Sequence, residues 1–411
     1  TLAAQFGYLP GTLWILIGVV LGGAVQDMVT LFFSTRRDGR SLGQMARDEI
    51  GVIGGTAALI GTFLIMIILI AVLGLVVVNA MKHSPWATST VAATIPIAMF
   101  IGLYMRNIRP GRVLEASAIG VALLLFSVFA GGWIDHNATL RVLFDHEGLP
   151  LAYAIIVYGF AAAVLPVWLL LAPRDYLSTY MKLGTVMLLA IAIIILRPEI
   201  HMPAITQFTD GTGPIFGGKL FPFVFITIAC GAISGFHALI SSGTTPKLLA
   251  NERDIRVIGY GAMLLESFVA IMAMIAATVL EPGVFFAINS PAGVVGKEAV
   301  DAIAKINSWG FAVTVEQMNQ LAKDMGESTL FARTGGAPSL AVGMASIFGN
   351  AFGKHLLALW YHFAIMFEAI FILTTLDAGT RVGRFMLQDM LGNFNKKMGE
   401  TSYMPSVVLT S

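Results

Sequence analysis

The chain has 411 residues, of which 57% are hydrophobic and 12% charged, whereas soluble domains are about 45–50% apolar and about 25% charged. Polar side chains are too few to cover a water-exposed surface, so the composition excludes a water-soluble enzyme and indicates a membrane protein. The formal net charge of +1 gives no long-range positive field, so no nucleic-acid partner is expected. The single cysteine, Cys230, excludes an intrachain disulfide.

Nine apolar runs are long enough to cross the hydrocarbon core of a membrane, which takes about 20 helical residues. The predicted spans are 12–34, 52–80, 86–105, 113–133, 151–172, 180–196, 220–244, 258–280 and 356–377. Arg and Lys cluster in every second connection, and the positive-inside rule places these connections in the cytoplasm. The predicted fold class is therefore an all-α, polytopic membrane protein.

The long connection 281–355 is predicted to be an extracytoplasmic loop. Within it, 297–330 alternates charged and apolar residues, which is typical of amphipathic surface helices lying over the membrane mouth. The run 337–353 is nearly long enough to span, but a crossing would place the basic residues of 381–397 outside. We therefore expect 337–353 to be re-entrant or peripheral.

Four of the ionisable residues inside predicted spans stand out, and each such residue costs about 2.5–3.5 kcal/mol to insert. Asp27, His237 and Glu266 share one depth in the cytoplasmic half, and Glu368 lies near the middle of its span. Such groups either tie helices together through hydrogen bonds or load and release protons. We predict that Asp27, Glu266 and Glu368 couple protons, and the tying role remains the alternative for each.

The span 220–244 loses its apolar character halfway. Gly231 and Gly235 form a GxxxG pair, His237 and Ser241 lie one turn apart, and the run SSGTTP at 241–246 favours unwinding. Discontinuous helices of this kind form substrate sites in secondary transporters. The predicted substrate-binding residues are Gly231, Ser234, Gly235, His237, Ser241, Ser242, Thr244 and Thr245. The alternative is a GxxxG packing helix with a polar end.

Two Arg–Asp combinations are weaker signals. Arg174 and Asp175 follow a Leu-Pro kink at the inner end of the fifth span, where they suit either a gate or a loop anchor. Asp377 and Arg381 can pair across one helical turn, and a surface anchor is the expected role for them.

The sequence contains no nucleotide-binding loop, no HExxH and no GxSxG, so we predict no catalytic residue, metal site or cofactor. Transport driven by an ion gradient is the leading hypothesis. An intramembrane enzyme that acts on a small or lipid-borne substrate is the alternative, and a passive channel is a third possibility.

Several contiguous motifs resemble the carbon starvation protein A family of bacterial inner-membrane transporters. They are FGYLPG at 6–11, GGAVQD at 22–27, STRRDGRSLG at 34–43, and the stretches 165–177 and 221–252. The resemblance covers essentially the whole chain. It implies a multi-pass inner-membrane protein that takes up small peptides or pyruvate with protons when carbon is scarce, with membrane lipid as its other partner.

The resemblance also implies membership of the amino acid–polyamine–cation superfamily, whose members have inverted repeats and discontinuous helices. Members of the family extend further at both ends, and a glycine- and histidine-rich helix precedes the segment that corresponds to residues 2–5. We therefore expect residues 1–411 to form a single transmembrane transporter domain that is truncated at both ends. The missing helix is the expected inverted-repeat partner of the span 220–244.

Overall fold

The computed structural model describes residues 1–166, 168–392 and 395–411. The first half of the chain forms α1 (Tyr8–Thr35), α2 (Leu42–Met81), α3 (Pro85–Ile108), α4 (Val113–His136), α5 (Ala138–Phe144), α6 (Gly148–Val164) and α7 (Leu171–Leu196). The second half forms α8 (Leu220–Thr227), α9 (Gly235–Gly243), α10 (Thr245–Leu248), α11 (Glu252–Thr278), α12 (Pro282–Asn289), α13 (Ala292–Val295), α14 (Ala299–Ser308), α15 (Val315–Asp324), α16 (Ala337–Phe352), α17 (Lys354–Gly392) and α18 (Met404–Thr410). No strand occurs among the described residues.

Seven helices of the described chain are long and apolar enough to cross a membrane, namely α1, α2, α3, α4, α7, α11 and α17. The helices α5 and α6 meet at a 66° bend and make an eighth span if they are counted together. The all-α membrane fold is confirmed. Of the nine predicted spans, 220–244 is not among these helices, because it is divided between the short helices α8 and α9.

The boundary between the fifth and sixth predicted spans also differs from the structure. Helix α6 ends at Val164 instead of 172, because a residue that precedes proline disfavours the helical conformation and Pro166 follows two residues later. Val167, inside the predicted span 151–172, lies outside the described residues. Helix α7 begins at Leu171, so Arg174 lies near its start and not at the end of the fifth span.

The amphipathic helices predicted within 297–330 are present as α14 and α15. Helix α14 buries Ala302, Ile303 and Ile306, and α15 buries Met318 and Ala322, while their charged residues are exposed. Both helices therefore lie on the protein surface with one apolar face covered.

Helix α16 occupies the segment predicted to be re-entrant or peripheral to the membrane, and both alternatives stay predictions. Most of its residues are buried between α11 and α17. The approach is close because Gly343 lacks a side chain: a Cβ there would lie 2.0 Å from the carbonyl oxygen of Ala276 on α11.

Glu327 joins the loop before α16 to the turn between α2 and α3, and an ion pair within the loop holds its carboxylate. Arg333 Nη2 lies 2.9 Å from Glu327 Oε2, and Ser84 Oγ donates to Glu327 Oε1 at 3.0 Å. Burial raises the pKa of the Glu327 carboxyl, although Arg333 beside it acts in the opposite direction. These contacts fix the loop 325–336 against the helical body.

The interior and the exterior of the bundle are both apolar. The largest core cluster surrounds α11, α12, α16 and α17 and includes Phe285, Phe286 and Phe348, which are fully buried. On the outside, Ile53 and Leu114 are 90% and 84% exposed. An exterior of this kind suits hydrocarbon better than water.

Candidate functional site

The discontinuity between α8 and α9 lies at residues 228–234, which are not helical. The prediction that 241–245 unwinds is wrong, since Ser241 and Ser242 belong to α9 and Thr245 begins α10. The hydroxyl of Ser242 donates to the carbonyl of Ala238 at 2.8 Å, which shows how serine is accommodated inside the helix. The alternative of a continuous GxxxG packing helix is also wrong, because Gly231 lies in the break and nothing lies within 4 Å of a Cβ at Gly235.

Helix α1 packs against the non-helical residues 228–234, which we call the break. Residues Val19–Gly23 form a π-helical turn, a feature often found at functional sites. A Cβ at Gly23 would lie 2.3 Å from the carbonyl oxygen of Ala232, so only glycine allows the two backbones to approach this closely. The sequence of α1 thereby makes room for the non-helical segment.

Side chains of α1 satisfy two carbonyl groups that the break exposes. Trp14 Nε1 donates to the carbonyl oxygen of Ile228 at 3.2 Å. Gln26 Nε2 donates to the carbonyl oxygen of Ser234 at 2.8 Å. An unpaired carbonyl at this depth would be unfavourable, so these bonds stabilise the broken geometry.

A polar cavity of about 350 Å³ lies beside α9, and we call it the first cavity. Helices α1, α7, α9, α10, α11 and α17 contribute to its wall. Its polar lining consists of Asp27, Asp175, His237, Ser241, Thr245, Glu266, Thr374 and Thr375. The structure thus brings Asp27, His237 and Glu266 together, as their shared depth predicted.

Asp27 and His237 form the central pair of the first cavity. His237 Nδ1 lies 2.9 Å from Asp27 Oδ2, and the side chains are 26% and 6% exposed, respectively. When Asp27 is ionised, Nδ1 carries the proton of the neutral imidazole, so Nε2 remains for a ligand or a second proton. Asp27 Oδ1 is buried and has no hydrogen-bond partner in the described part of the chain. The pair can therefore hold a proton next to an open polar cavity.

Glu368 lies apart from this pair. It lines a separate cavity of about 310 Å³, which also includes Cys230 and Gly231 of the break, and which we call the second cavity. Glu266 lines both cavities. Of the three carboxylates predicted to couple protons, Asp27 therefore faces the first cavity, Glu368 faces the second, and Glu266 faces both.

The predicted substrate-binding residues are divided by the structure. His237, Ser241 and Thr245 line the first cavity and Gly231 lines the second, whereas Ser234, Gly235, Ser242 and Thr244 line neither. Ser242 has a different set of contacts. Its hydroxyl accepts from the backbone N–H of Leu42 at 3.2 Å, and its carbonyl accepts from Ser34 Oγ at 3.3 Å. Ser242 therefore joins α9 to the connection between α1 and α2.

The predicted gate residues Arg174 and Asp175 are not partners of each other. Asp175 lines the first cavity, while Arg174 is 2% exposed and its Nη1 lies 3.5 Å from Asp377 Oδ2. Tyr158 donates to the same oxygen of Asp377 at 2.6 Å, and Arg174 Nη2 donates to Thr94 Oγ1 at 3.3 Å. We call Thr94, Tyr158, Arg174 and Asp377 the closed group.

The expectation that Asp377 and Arg381 form a surface anchor is wrong, because Asp377 is fully buried. Arg381 Nη2 instead donates to the carbonyl oxygens of Ala162 and Leu165 at 2.8 and 3.0 Å. These carbonyls lie at the C-terminal end of α6, where a cation is favourable.

Sequence reasoning missed Thr374, Thr375 and Lys182. The two threonines line the first cavity, and Lys182 Nζ donates to Thr374 Oγ1 at 2.6 Å. Lys182 lies within the predicted span 180–196, so its charge could have identified it as a candidate site residue. Threonine hydroxyls are too common in apolar helices to identify Thr374 and Thr375 in the same way. No group of three or more His, Cys, Asp or Glu residues in the described ranges could hold a metal ion.

Comparison with known proteins extends over the whole chain. The family model described as "Carbon starvation protein CstA" matches residues 1–411. The peptide transporter CstA of Escherichia coli K12 is 56% identical over 416 residues, covering 100% of this chain and 59% of that protein. The pyruvate/proton symporter BtsT of the same organism is 56% identical over 415 residues, covering 96% of this chain and 58% of that protein.

The peptide transporter CstA of Campylobacter jejuni is 55% identical over 412 residues, covering 100% of this chain and 59% of that protein. This chain thus spans a little under three fifths of the length of these curated relatives. No solved structure matches it. The apolar helices and the relatives named as transporters support a multi-pass protein of the bacterial inner membrane, as predicted.

Proposed function

The chain belongs to the carbon starvation protein CstA family, and we propose that it forms the transport domain of a proton-coupled secondary transporter. The proposed substrates are small peptides or pyruvate, taken up during carbon starvation. The observation that carries the proposal is the Asp27–His237 pair, held beside a helix break in a polar cavity among membrane-spanning helices. The names of the relatives, a peptide transporter and a pyruvate/proton symporter, support the same class of substrate.

The first cavity offers complementary groups for a carboxylate and for an ammonium. His237 lies in the first turn of α9, where unpaired backbone N–H groups and the helix dipole favour an anion. A proton on His237 adds a charge-assisted donor for a substrate carboxylate. Asp175 and Glu266, which also line the cavity, suit the amino terminus of a peptide. Binding of the carboxylate and protonation of the pair then favour each other, which is the basis of symport.

The finer architecture that we propose is the inverted-repeat fold of the amino acid–polyamine–cation superfamily, with residues 1–411 as a single transporter domain surrounded by lipid. The α8–α9 break supports it, because substrate sites in such transporters lie at discontinuous helices. In the proposed orientation the connections rich in Arg and Lys are cytoplasmic and 281–355 lies outside.

Uptake measurements test the proposal. The full-length protein in proteoliposomes should exchange radiolabelled pyruvate or dipeptides by counterflow, and the substrate should be recovered chemically unchanged. His237→Ala should abolish exchange, whereas His355→Ala, at an exposed histidine outside the first cavity, should not. Exchange by His237→Ala at the wild-type rate would contradict the proposed site.

Recovery of unchanged substrate also separates transport from the enzyme alternative. Nucleophilic catalysis would require a hydroxyl or thiol held by the imidazole of His237. In the part of the chain that the structure describes, the hydrogen bond of that ring goes to Asp27. The geometry therefore favours proton binding over covalent chemistry.

Cysteine labelling tests the orientation. In a Cys230→Ser background, cysteines introduced at Asn319 and Lys397 should react with a membrane-impermeant reagent from opposite sides. Labelling of both positions from outside would mean that α16 crosses the membrane, and the proposed orientation would be wrong.

A further inference from the structure

Lys182 places a positive charge at the middle of a membrane-spanning helix. Helix α7 has 26 residues, and Lys182 lies next to its midpoint. Half of the hydrocarbon core is about 15 Å thick, which is more than a lysine side chain can span, so its ammonium group stays inside the membrane. There Lys182 Nζ donates to Thr374 Oγ1 at 2.6 Å and lies 4.6 Å from the centroid of the Phe371 ring. Helix α17 therefore holds the ammonium group within the helical body.

The ammonium group of Lys182 lies behind the wall of the first cavity. Thr374, which accepts its hydrogen bond, lines that cavity. Asp175 also lines it and precedes Lys182 by seven residues, so two turns of α7 place both side chains on one face, about 10 Å apart along the helix. The carboxyl groups of Asp175 and Glu266 both act on the ammonium group electrostatically. Lys182 thus contributes to the charge of a cavity that it does not itself line.

The first cavity needs such a cation, because acidic groups predominate among its charged side chains. Its carboxylates are those of Asp27, Asp175 and Glu266. Asp27 is paired with His237, and no Lys or Arg lines the cavity in the described part of the chain. The nearby Arg174 faces Asp377 in the closed group. Lys182 is therefore the cation that compensates Asp175, and without it a substrate carboxylate would meet an uncompensated negative charge.

We propose that Lys182 is a built-in ammonium group that takes the place of a substrate amino group in the first cavity. This role rests on the proposed transport function and selects between its two substrates. With Lys182 compensating Asp175 and the coupling proton on Glu266, no carboxylate is left to bind an amino terminus, while His237 stays available for a substrate carboxylate. The site therefore takes a small carboxylate without an amino group, such as pyruvate, in preference to a zwitterionic peptide.

Ligand binding to the full-length wild-type protein tests the preference. Alanine has the carbon skeleton of pyruvate but carries an ammonium group, which Lys182 would repel. Pyruvate should therefore bind at least about tenfold more tightly than alanine or dialanine. Dialanine that binds as tightly as pyruvate would overturn the role of Lys182, while the proposed function would stand. If neither pyruvate nor any dipeptide is transported, the proposed function itself is wrong.

Substitution of Lys182 tests the cause of the preference. Lys182→Met removes the charge and keeps a long side chain, so binding of pyruvate should weaken at least about fivefold, whereas binding of dialanine should stay the same or become tighter. Lys182→Arg keeps the charge, so the ratio of the two affinities should stay within about twofold of the wild-type ratio. Lys323→Met, on the exposed surface of α15, is the matched control and should change neither affinity.

The variants also distinguish a role in binding from a structural one. An equal loss for pyruvate and dialanine in Lys182→Met would indicate that Lys182 only stabilises the fold, and it would overturn the proposed role. No change for either ligand would overturn it as well. A loss of preference in Lys182→Arg as large as in Lys182→Met would show that side-chain shape decides and not charge, with the same consequence. If Lys182→Met fails to fold, the comparison of pyruvate with alanine and dialanine in the wild-type protein still decides the outcome.

Discussion

Two groups of polar residues meet near the start of α7. One group lines an open cavity, and the other is enclosed by protein. Asp175 faces the first cavity together with Asp27, His237 and Glu266. Its neighbour Arg174 points into the closed group, where it faces Asp377. Arg174 and Asp377 are 2% and 0% exposed, whereas the side chain of His237 is 26% exposed.

This difference shows that a charge inside a membrane helix is not by itself a functional site. In the closed group the positive and negative charges compensate each other, and Tyr158 and Thr94 supply further hydrogen bonds. A group of this kind holds helices α3, α6, α7 and α17 in place. We call Asp27, Asp175, His237 and Glu266 the cavity group. Their polar side chains line the open volume of the first cavity, so a ligand or a proton can reach them.

The largest effect that we predict is a loss of stability when the closed group loses the positive charge of Arg174. Arg174→Leu leaves the carboxylate of Asp377 buried without its charged partner, so the free energy of unfolding should fall by about 3–5 kcal/mol. Thermal unfolding of the purified protein in detergent measures the loss. The double variant Arg174→Leu/Asp377→Leu should recover most of it, because it removes both charges. A single variant as stable as the wild type would show that Arg174 does not compensate Asp377.

The second prediction concerns proton coupling in the cavity group. Asp27→Asn and Glu266→Gln keep the size of each side chain while removing its change of charge. Uptake driven by an imposed proton gradient should fall to the level seen without a gradient in at least one of the two variants. Uptake by proteoliposomes across a range of external pH measures this, with Asp301→Asn on the exposed surface of α14 as the control. Unaltered pH dependence in both variants would remove both residues from the coupling mechanism.

The third prediction tests the support of the break by α1. Gln26→Ala leaves the carbonyl of the buried Ser234 without its donor, which should lower the free energy of unfolding by about 1–3 kcal/mol. Gln207→Ala is a matched control, since Gln207 Nε2 also donates to a carbonyl, that of Trp309, at 3.0 Å but at an exposed site. Its effect should stay below about 0.5 kcal/mol. Equal losses of stability in the two variants would mean that Gln26 does not hold the break.

The spans and the composition of the cavity group could be predicted from sequence, because both depend on local properties. Apolar runs of about 20 residues mark the helices whatever surrounds them. Asp27, His237 and Glu266 are detectable because ionisable residues are rare in such runs. Their shared depth follows from counting residues along three predicted helices.

The position of the break could not be predicted, because it depends on packing between distant segments. Residues 228–234 unwind where the glycine-rich π turn of α1 lies against them, more than 200 residues away in sequence. The polar run at 241–246 carried the stronger local signal, yet Ser242 forms its hydrogen bonds within α9 and to the α1–α2 connection. The burial of Asp377 likewise depends on Arg174, which no local pattern connects to it.

The smallest effects that we predict separate the two neighbouring serines of α9. Ser241 lines the first cavity, so Ser241→Ala should weaken substrate binding by about twofold to tenfold, the value of one hydrogen bond, and leave stability unchanged. Ser242 bonds to Leu42 and Ala238, so Ser242→Ala should lower the free energy of unfolding by about 1 kcal/mol and leave binding unchanged. Binding assays and thermal unfolding on both variants measure the two effects independently.

Each serine variant is the control for the other, because the substitution and the helix are the same and only the direction of the side chain differs. If Ser242→Ala weakened binding as much as Ser241→Ala does, the substrate would contact both faces of α9. The first cavity would then have to extend toward α2, where Leu42 N–H now holds the Ser242 hydroxyl. Opposite responses of the two variants would instead assign one face of α9 to the substrate and the other to the protein interior.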